Sequence, residues 1–502
     1  MASVISPLRR AERIQPDCEA VTCGGARLTY RETAERCRRL GGALHELGLS
    51  RGDRVAVIGP NCHRYLELYQ GVPGAGMVVV PLNARHTPIE LRYALEDAGA
   101  RVLFAGIAVP DLPDCVERVC DLAGGYEALI DAAPERAFVE CDENDLAGLF
   151  YTGGTTGKAK GVMLSHRNLL ANSTHFQWVW PFDHSTRWLV AAPLFHAAGS
   201  LAVLATVWQA GHQVILGAFD PCVALDLIAE YAVTHTLVVP SMLAALIEEQ
   251  LARPRELPSL RGISHGGSPI ATETLRRAHL AFGDVELLHL YGTTETAPIV
   301  TGLRHEEDLL DDPRIRSCGQ PVPGVEVELR DPLGEPVATG EVGELVVRGA
   351  NVMLGYWNKP AATADVLQNG WYRTGDLAYL DDRDHVYLVD RAKDMIVTGG
   401  ENVYGTEVEE ALYAHEAVLE AAVFGVPDER WGEAVYAVVV PRTEVEPDAL
   451  IAHCRTLIAG YKVPKHVELR SEPLPKSAAG KVLKRQLRAP HWAGRTEAIA
   501  GV

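Results

Sequence analysis

The sequence lacks a long apolar run, a surplus of positive charge and a paired-cysteine motif. Its longest apolar stretches, such as LAVLATVW at 201–208, are too short to span a bilayer, and MASVISPLRRAERI at the start contains no signal-peptide segment. A net charge of −19 argues against non-specific nucleic-acid binding, although a nucleotide site can be basic locally. The ten cysteines form no CxxC pair, which indicates neither a zinc site nor a redox motif. We expect a soluble cytoplasmic protein with reduced thiols, no membrane span and no nucleic-acid partner.

The chain does contain a regular alternation of apolar strands and amphipathic helices. Its 502 residues suffice for more than one domain. Apolar runs such as RVAVIGP at 54–60, MVVVPL at 77–82 and RVLFAG at 101–106 are separated by helical patterns. Continuous apolar strands between helices are typical of parallel sheets buried on both faces, and such sheets bind ligands at the carboxyl ends of their strands.

The pattern changes near residue 322. Turn-separated stretches such as VEVELRD, GELVVRG and HVYLVDR predict an antiparallel β segment. Helices return after DRAKD at 390–394, in a compact α+β pattern long enough for a small domain. We therefore predict an α/β protein with a large N-terminal domain over 1–390, made of parallel-rich sheets with helices plus a β segment. A small α+β domain follows over 391–502.

A glycine-rich loop, YTGGTTGKAKG at 151–161, indicates an anion site. It is not a Walker A loop, because three residues rather than four separate Gly153 from Gly157, and Lys158 is followed by Ala159 rather than Ser or Thr. Glycines nevertheless allow a phosphate to approach the backbone, whose amides and nearby threonine hydroxyls can donate hydrogen bonds. From the residues alone, a flexible surface turn is the alternative.

The loop resembles the signature of the adenylate-forming superfamily, which includes acyl-CoA synthetases, luciferases and peptide-synthetase adenylation domains. The remaining family motifs follow in order: YGTTE at 291–295, YRTGD at 372–376, DRAKDMIVTGGENVYGTEVEE at 390–410 and PKSAAGK at 475–481. The resemblance implies a two-step ligase with ATP, Mg²⁺ and coenzyme A as cofactors. A carboxylic acid is first converted to its acyl-adenylate with release of pyrophosphate, and the CoA thiol then displaces AMP.

For the first step, the resemblance makes Glu295 the magnesium ligand, Thr294 a phosphate contact and Tyr291 the residue packed on adenine. Asp376 would bind the ribose diol, and Lys481 would reach the carboxylate and the α-phosphate. A carboxylate suits Mg²⁺, and a cation between two anions stabilises the charge of the transition state. The further nucleotide-binding residues implied are Thr152, Gly153, Gly154, Thr155, Thr156, Gly157, Lys160, Gly292, Thr293 and Arg391.

For the second step, the resemblance implies that the small domain rotates about a hinge at Lys393 and presents its other face to the thiol. His196 matches an aromatic gate beside the acyl pocket, where small side chains suggest room for a bulky or extended apolar acid. The CoA-binding residues implied are Arg85, Gly399, Gly400, Trp431 and Tyr461, and the acyl pocket is assigned to Ala197, Ala198, Leu237, Gly266, Gly267 and Ala297.

The chain departs from the family where Gly153 replaces a serine, Ala159 a proline and Gly405 another proline. These changes could weaken adenylation, so one alternative is an enzyme that mainly uses preformed acyl-adenylate. A second alternative is an adenylating enzyme that loads a separate carrier protein. A luciferase-like monooxygenase and a catalytically silent binding protein are rarer alternatives. The acid, the pathway and the oligomeric state, including a homodimer, stay open.

Overall fold

The computed structural model describes most of the chain. The described residues are 3–152, 158–268, 270–305, 307–391, 394–398, 401–428, 430–476 and 482–492, with the backbone alone described at 201, 307, 308 and 391.

Strands and helices alternate through the first region. Several elements begin where the sequence supplies a cap: Thr29 and Glu32, for example, form a reciprocal capping box at the start of the second helix. The elements are α1 (Ser6–Ile14), β1 (Glu19–Cys23), β2 (Ala26–Thr29), α2 (Tyr30–Glu46), β3 (Arg54–Ile58), α3 (His63–Gly74), β4 (Val78–Leu82), α4 (Pro88–Ala98), β5 (Ala100–Ala105), β6 (Arg118–Asp121), α5 (Tyr126–Ala132), β7 (Leu146–Thr152), β8 (Lys160–Ser165), α6 (His166–Val179), β9 (Arg187–Val190), α7 (Ala197–Trp208), β10 (His212–Ile215), α8 (Pro221–Glu230), β11 (His235–Val238), α9 (Pro240–Ala252), β12 (Gly262–Gly266), α10 (Thr272–Phe282), β13 (Glu286–Tyr291) and β14 (Thr301–His305).

Short strands dominate the rest of the chain until the last helices. Short 3-10 turns lie at Thr294–Thr296, Glu307–Asp311 and Pro313–Arg316. The remaining elements are β15 (Gln320–Pro321), β16 (Val325–Arg330), β17 (Gly343–Gly349), β18 (Gly355–Tyr356), α11 (Pro360–Val366), β19 (Leu367–Gln368), β20 (Trp371–Leu380), β21 (Val386–Arg391), β22 (Ile396–Thr398), β23 (Glu401–Val403), α12 (Gly405–Tyr413), β24 (Val418–Asp428), β25 (Gly432–Pro441), α13 (Pro447–Leu457), β26 (His466–Leu469) and α14 (Lys484–Trp492).

A seven-stranded sheet of order β18-β8-β7-β4-β3-β5-β6 carries the glycine loop. Strands β7, β4, β3, β5 and β6 run parallel, whereas β8 is antiparallel to β7 and β18 is antiparallel to β8. After the loop comes β8, and α6 begins at His166 behind a capping box at Ser165. The loop therefore joins two antiparallel strands and does not lead into a helix N-terminus.

A nine-stranded sheet of order β15-β14-β13-β12-β11-β9-β10-β1-β2 carries the second family motif. Its central strands β1, β10, β9, β11, β12 and β13 are parallel, as expected from their apolar sequences. The carboxyl ends of neighbouring parallel strands meet at one edge of a sheet. Strands β12 and β13 therefore bring Gly266 and Gly267 beside the motif at 291–295.

The antiparallel β segment predicted after residue 322 is confirmed. Strands β16, β17, β20 and β19 form an antiparallel sheet to which β21 is added. Its inner residues, including Val325 and Leu345, belong to one apolar core together with Val57 and Leu290 of the two larger sheets. Asp376 lies opposite Arg391 in the pairing of β20 and β21.

The last region has its own sheet, of order β23-β22-β25-β24, with β26 parallel to β25. It also has its own apolar cores, around Val408 and around Phe424. The backbone N–H of Gly405 donates to Asp390 Oδ2 at 2.7 Å across the predicted boundary. The predicted fold class, a large α/β region followed by a small α+β region, is confirmed, and the boundary at 390/391 stays a prediction. No helix in the described part of the chain is long and apolar enough to cross a membrane.

Candidate active site

The strands that flank the glycine loop hold its two lysines apart. Thr152 at the end of β7 pairs with Lys160 at the start of β8. Lys160 Nζ lies 4.6 Å from the ring centroid of Tyr356, whereas Lys158 Nζ lies 4.9 Å from that of Tyr93. Either lysine could supply positive charge to an anion, and the position of Lys160 beside Tyr356, which donates to Glu295, favours Lys160. The loop residues Gly153, Gly154, Thr155, Thr156 and Gly157 lie outside the described residues.

Glu295 is oriented by Tyr356 of β18 and by Met353 just before that strand. It sits in the 3-10 turn that follows β13, its Oε1 accepts the Tyr356 hydroxyl at 2.9 Å, and its backbone carbonyl accepts the Met353 N–H at 2.8 Å. Burial, followed by the Glu295 charge, raises the pKa of Tyr356, so its hydroxyl remains a donor. Thr294, half-buried, begins the same turn. A cation at Lys160 and a carboxylate at Glu295 thus lie on either side of one tyrosine.

Tyr291 and Asp376 come together although 85 residues separate them. The Tyr291 hydroxyl donates to Asp376 Oδ2 at 2.7 Å, and both residues are buried. Burial and then the Asp376 carboxylate raise the pKa of Tyr291 well above its ordinary value. The Asp376 N–H donates to Thr374 Oγ1 at 3.0 Å within YRTGD. Two separate motifs therefore share one hydrogen-bonded pair.

Three glycines at this sheet edge differ in why they must be small. A Cβ on Gly266 would lie 2.2 Å from the Leu290 carbonyl oxygen, and one on Gly292 would lie 1.6 Å from that of Pro298. Gly267 has φ +82° and nothing within 4 Å of a Cβ position. At Gly266 the Cβ side is filled by backbone, so no larger residue fits there, and its assignment to the acyl pocket stays a prediction. Of these three glycines, only Gly267 has open space at its Cβ position.

His196 caps the helix that forms part of the predicted acyl pocket. Its Nδ1 accepts the Ala198 N–H at 3.2 Å, and burial lowers its pKa. Ala197 is buried in the first turn of α7 and Ala198 is partly buried beside it. Leu237, also buried, lies on β11, where it pairs with Ser264 of β12. The imidazole is thus fixed at the helix start, and its role as a gate stays a prediction.

A small cavity of about 20 Å³ lies beside Ala297. Ala297 is buried with φ +62°. Asn172 also lines the cavity, and its Oδ1 accepts the Ile299 N–H at 3.0 Å. Its amide Nδ2 makes no hydrogen bond to any residue that the structure describes. The cavity is completed by Val4, Tyr69, Leu169, Ser200, Val203 and Leu204.

The residues predicted to bind CoA lie in turns at the surface. Arg85 follows β4 and is exposed. Trp431, in the turn between β24 and β25, is 40% exposed and packs against Arg430, and Tyr461, after α13, is 42% exposed and packs against Lys462. Gly399, Gly400, Lys393, Lys481 and the Arg391 side chain lie outside the described part.

Sequence reasoning missed Tyr356 and Asp97. Tyr356 connects Lys160 to Glu295, as described above. Asp97 accepts hydrogen bonds from the Tyr151 hydroxyl at 2.8 Å and from Lys359 Nζ at 2.6 Å, and so holds the strand entering the glycine loop. The stretch GYWNKP at 355–360, with two aromatic residues between a glycine and a proline, was the available signal.

Family comparison agrees with these motifs over most of the chain. Residues 8–357 match the model of the AMP-binding enzyme family, and residues 407–481 match that of the AMP-binding enzyme C-terminal domain. The chain belongs to the AMP-binding enzyme family. The prediction of an ATP-dependent, AMP-forming acyl-CoA synthetase is confirmed.

Three known proteins illustrate the range of relatives. The chain is 41% identical to a feruloyl-CoA synthase of Amycolatopsis sp, covering 96% of this chain and 97% of that protein. It is 36% identical to the fatty acid–[acyl-carrier-protein] ligase ScoC of Streptomyces coeruleorubidus, covering 95% and 94%. The structure of o-succinylbenzoate coenzyme A synthetase (MenE) from Bacillus subtilis with ATP and a magnesium ion is similar with a TM-score of 0.87, at 29% identity over 96% and 98% of the chains.

Proposed function

We propose that this acyl-CoA synthetase activates an arylalkenoic acid of the feruloyl kind. The observation that carries the proposal is the 41% identity to a feruloyl-CoA synthase along nearly the entire length of both chains. The cavity beside Ala297 supports it, because Asn172 lines this cavity and its amide donor is unused among the described residues. A ring hydroxyl or methoxyl group could accept that hydrogen bond, whereas a saturated alkyl chain could not.

In the adenylation step, the described residues would orient the nucleotide. Asp376 accepts from the ribose diol, with Tyr291 holding one carboxylate oxygen in place. Lys160 supplies positive charge to the phosphates from the start of β8. Lys481 stabilises the charge that develops as the carboxylate attacks, since a fixed cation is most effective where charge appears in the transition state.

The residues present fit a magnesium ion. Mg²⁺ prefers carboxylate oxygens and phosphate oxygens, and Glu295 offers a half-buried carboxylate whose Oε1 is fixed by Tyr356. Glu295 would hold the ion, with the Thr294 hydroxyl directed to the phosphate. When bound, the ion neutralises phosphate charge and favours pyrophosphate departure.

For the thioester step, we propose that residues 391–502 rotate about Lys393. The separate sheet and core of the last region agree with a unit that moves as a body. Gly399 and Gly400 would admit the pantetheine arm beside Trp431, while Arg85 and Tyr461 would contact the nucleotide end of CoA. The neutral His196 would admit the thiol to the acyl carbon.

The test is a substrate panel. Purified protein with MgATP and CoA is offered ferulate, unsubstituted cinnamate, o-succinylbenzoate or palmitate, and the acyl-CoA formed is quantified by mass spectrometry. We expect the highest kcat/KM with ferulate and a lower value with cinnamate, which lacks the ring substituents. A higher kcat/KM with palmitate than with ferulate would contradict the proposal.

A carrier protein is the second candidate acceptor, because ScoC is a carrier-protein ligase of similar length and 36% identity. The same assay with a phosphopantetheinylated carrier protein in place of CoA decides between the two. Acyl-adenylate that accumulates with CoA but is consumed with the carrier would favour this candidate. The cytoplasmic location and the homodimer stay predictions from the sequence.

A further inference from the structure

Three buried histidines meet on the outer face of the nine-stranded sheet. His265 on β12 and His289 on β13 are register partners. His305 on β14 lies diagonal to His289, opposite Leu287. Because side chains alternate along a strand, the three histidines share the face of Ile263 and Leu287, which packs under α8, α9 and α10.

The three rings are close and enclosed. The ring centroid of His265 lies 5.0 Å from that of His289 and 5.3 Å from that of His305. One nitrogen from each of the three rings lies within 4.8 Å of the other two. Exposure is 0% for His265, 2% for His305 and 8% for His289. Both ring nitrogens of His265 and both ring nitrogens of His305 have no hydrogen-bond partner among the described residues.

Such unpaired atoms are uncommon in a folded interior, where buried donors and acceptors almost always find a partner or an ordered ion or water. Burial also lowers the pKa of each ring, to about 4 at His289 and about 3 at His305. The rings are thus neutral near pH 7, the form in which imidazole binds a metal.

We propose that His265, His289 and His305 bind a divalent transition-metal ion of the zinc class. Imidazole nitrogens bind Zn²⁺ at about 2.0–2.1 Å, which places ligand nitrogens of a tetrahedral site about 3.3 Å apart. Nitrogens already within 4.8 Å need only small ring rotations to converge. The three described ligands leave the fourth position to an enclosed water or hydroxide.

The proposed site is structural rather than catalytic, because the three rings are buried away from solvent. Its position nevertheless matters for the reaction. His265 directly precedes Gly266 and Gly267, and His289 lies two residues before Tyr291. A metal ion joining β12, β13 and β14 would fix the relative positions of the strand ends that carry the acyl and nucleotide residues.

Direct metal analysis of the untagged full-length protein is the first test. The protein is produced with added zinc and dialysed against metal-free buffer, and bound metal is counted by mass spectrometry. We expect about one zinc per chain, and replacement by Co²⁺ should give the visible absorption bands of a tetrahedral nitrogen site. A wild-type protein that binds neither ion at stoichiometric level overturns the proposal without any variant.

The variants locate the ion. His305→Leu removes one ligand in an apolar setting beside Leu303, and His235→Leu removes a buried histidine on β11 outside the cluster as a matched control. We expect His305→Leu to lose the metal, the cobalt bands and the zinc-dependent rise in Tm, all of which His235→Leu keeps. Metal retained equally by both variants would assign it to another site and overturn the proposal. Circular dichroism of each variant establishes that loss of metal is not loss of fold.

Discussion

The nucleotide side of the candidate site is buried and joined by hydrogen bonds, whereas the described residues of its thiol side are exposed. On the nucleotide side, Tyr291 of β13 is hydrogen-bonded to Asp376 of β20, and Tyr356 of β18 is hydrogen-bonded to Glu295 in the turn after β13. On the thiol side, Trp431 and Tyr461 pack against their immediate chain neighbours. Preorganised dipoles are most effective where charge develops, while a surface that receives a long flexible substrate needs access. We infer from this difference that the large region positions the reacting groups, whereas the small region captures the flexible thiol substrate.

Acid should have the largest effect on the difference between the two regions. It should destabilise the large region, because that region buries histidines that the fold keeps neutral. Burial lowers the pKa of His212 and His235 to about 4; Arg187 near His212 and Arg261 near His235 add to this effect, while Glu19 and Asp183 oppose it. Between pH 6.5 and 4 the unfolded chain binds more protons than the folded one, so stability falls as pH falls.

At pH 5 each of these two histidines should cost about 2 kcal/mol of unfolding free energy. Hydrogen exchange at pH 7 and pH 5, with rates corrected for intrinsic pH dependence, is the measurement. We expect β9, β10 and β11 to lose protection before β24 and β25 do. His212→Gln should reduce the loss by the share of His212 alone, about 2 kcal/mol at pH 5. An unchanged pH profile in that variant would contradict the assignment.

Lys481→Ala should separate the two half-reactions. Loss of a cation that acts only on the transition state of adenylation should lower its rate about 10²–10³-fold, while thioester formation from supplied acyl-adenylate should largely survive. Pyrophosphate release and acyl-CoA formation are measured separately. An equal loss in both half-reactions would mean that Lys481 serves the fold or both steps.

Much of this architecture could be predicted from local sequence. Strand and helix alternation, the antiparallel segment and the motif at the end of β13 all depend on short-range patterns of apolar residues. The strand after the glycine loop could not be predicted in this way, because Lys160–Ser165 becomes a strand by pairing with β7 and β18. The role of Tyr356 likewise depends on a contact with Glu295, 61 residues earlier.

Gly405 shows why a departure from a family pattern is hard to interpret from sequence. Its N–H donates to Asp390 Oδ2, a bond that proline has no hydrogen to make. A Cβ there would also lie 2.8 Å from the Val423 carbonyl oxygen. The structure therefore requires glycine at this position, whereas the sequence alone showed only that the family's proline is absent. The histidine cluster was missed for a related reason, since its three members come from separate strands.

Tyr356→Phe tests whether the hydrogen bonds of the nucleotide side are functional. Removing the donor to Glu295 should cost about 1.5 kcal/mol, or roughly tenfold in kcat/KM for adenylation, because a hydrogen bond to a charged group is lost. Tyr387→Phe is the matched control, since it removes a hydroxyl bonded to Asp381 away from the site. Equal effects of both variants would leave no special role for Tyr356.

Trp431→Ala tests the exposed side. Loss of one aromatic wall should raise KM for CoA severalfold, by about 1 kcal/mol, with pyrophosphate release in the absence of CoA unchanged. Trp178→Ala removes another exposed tryptophan, from α6, and should leave KM for CoA as it is. A fall in adenylation with Trp431→Ala would show that the two sides are not independent.

The smallest expected effect concerns the altered glycine loop. Gly153→Ser restores the hydroxyl that the family carries, and one added hydrogen bond to phosphate should contribute about 0.5–1.5 kcal/mol. Adenylation should therefore accelerate about two- to tenfold, while the reaction of supplied acyl-adenylate with CoA stays constant. The ratio of the two rates is the useful quantity, because it cancels differences in the amount of active enzyme. The wild-type enzyme could react much faster with supplied acyl-adenylate than with acid and ATP. If Gly153→Ser removed that difference, the loop would be the cause of the bias towards thioester formation. An unchanged ratio would mean that the backbone amides of the loop carry the phosphate contact without the serine.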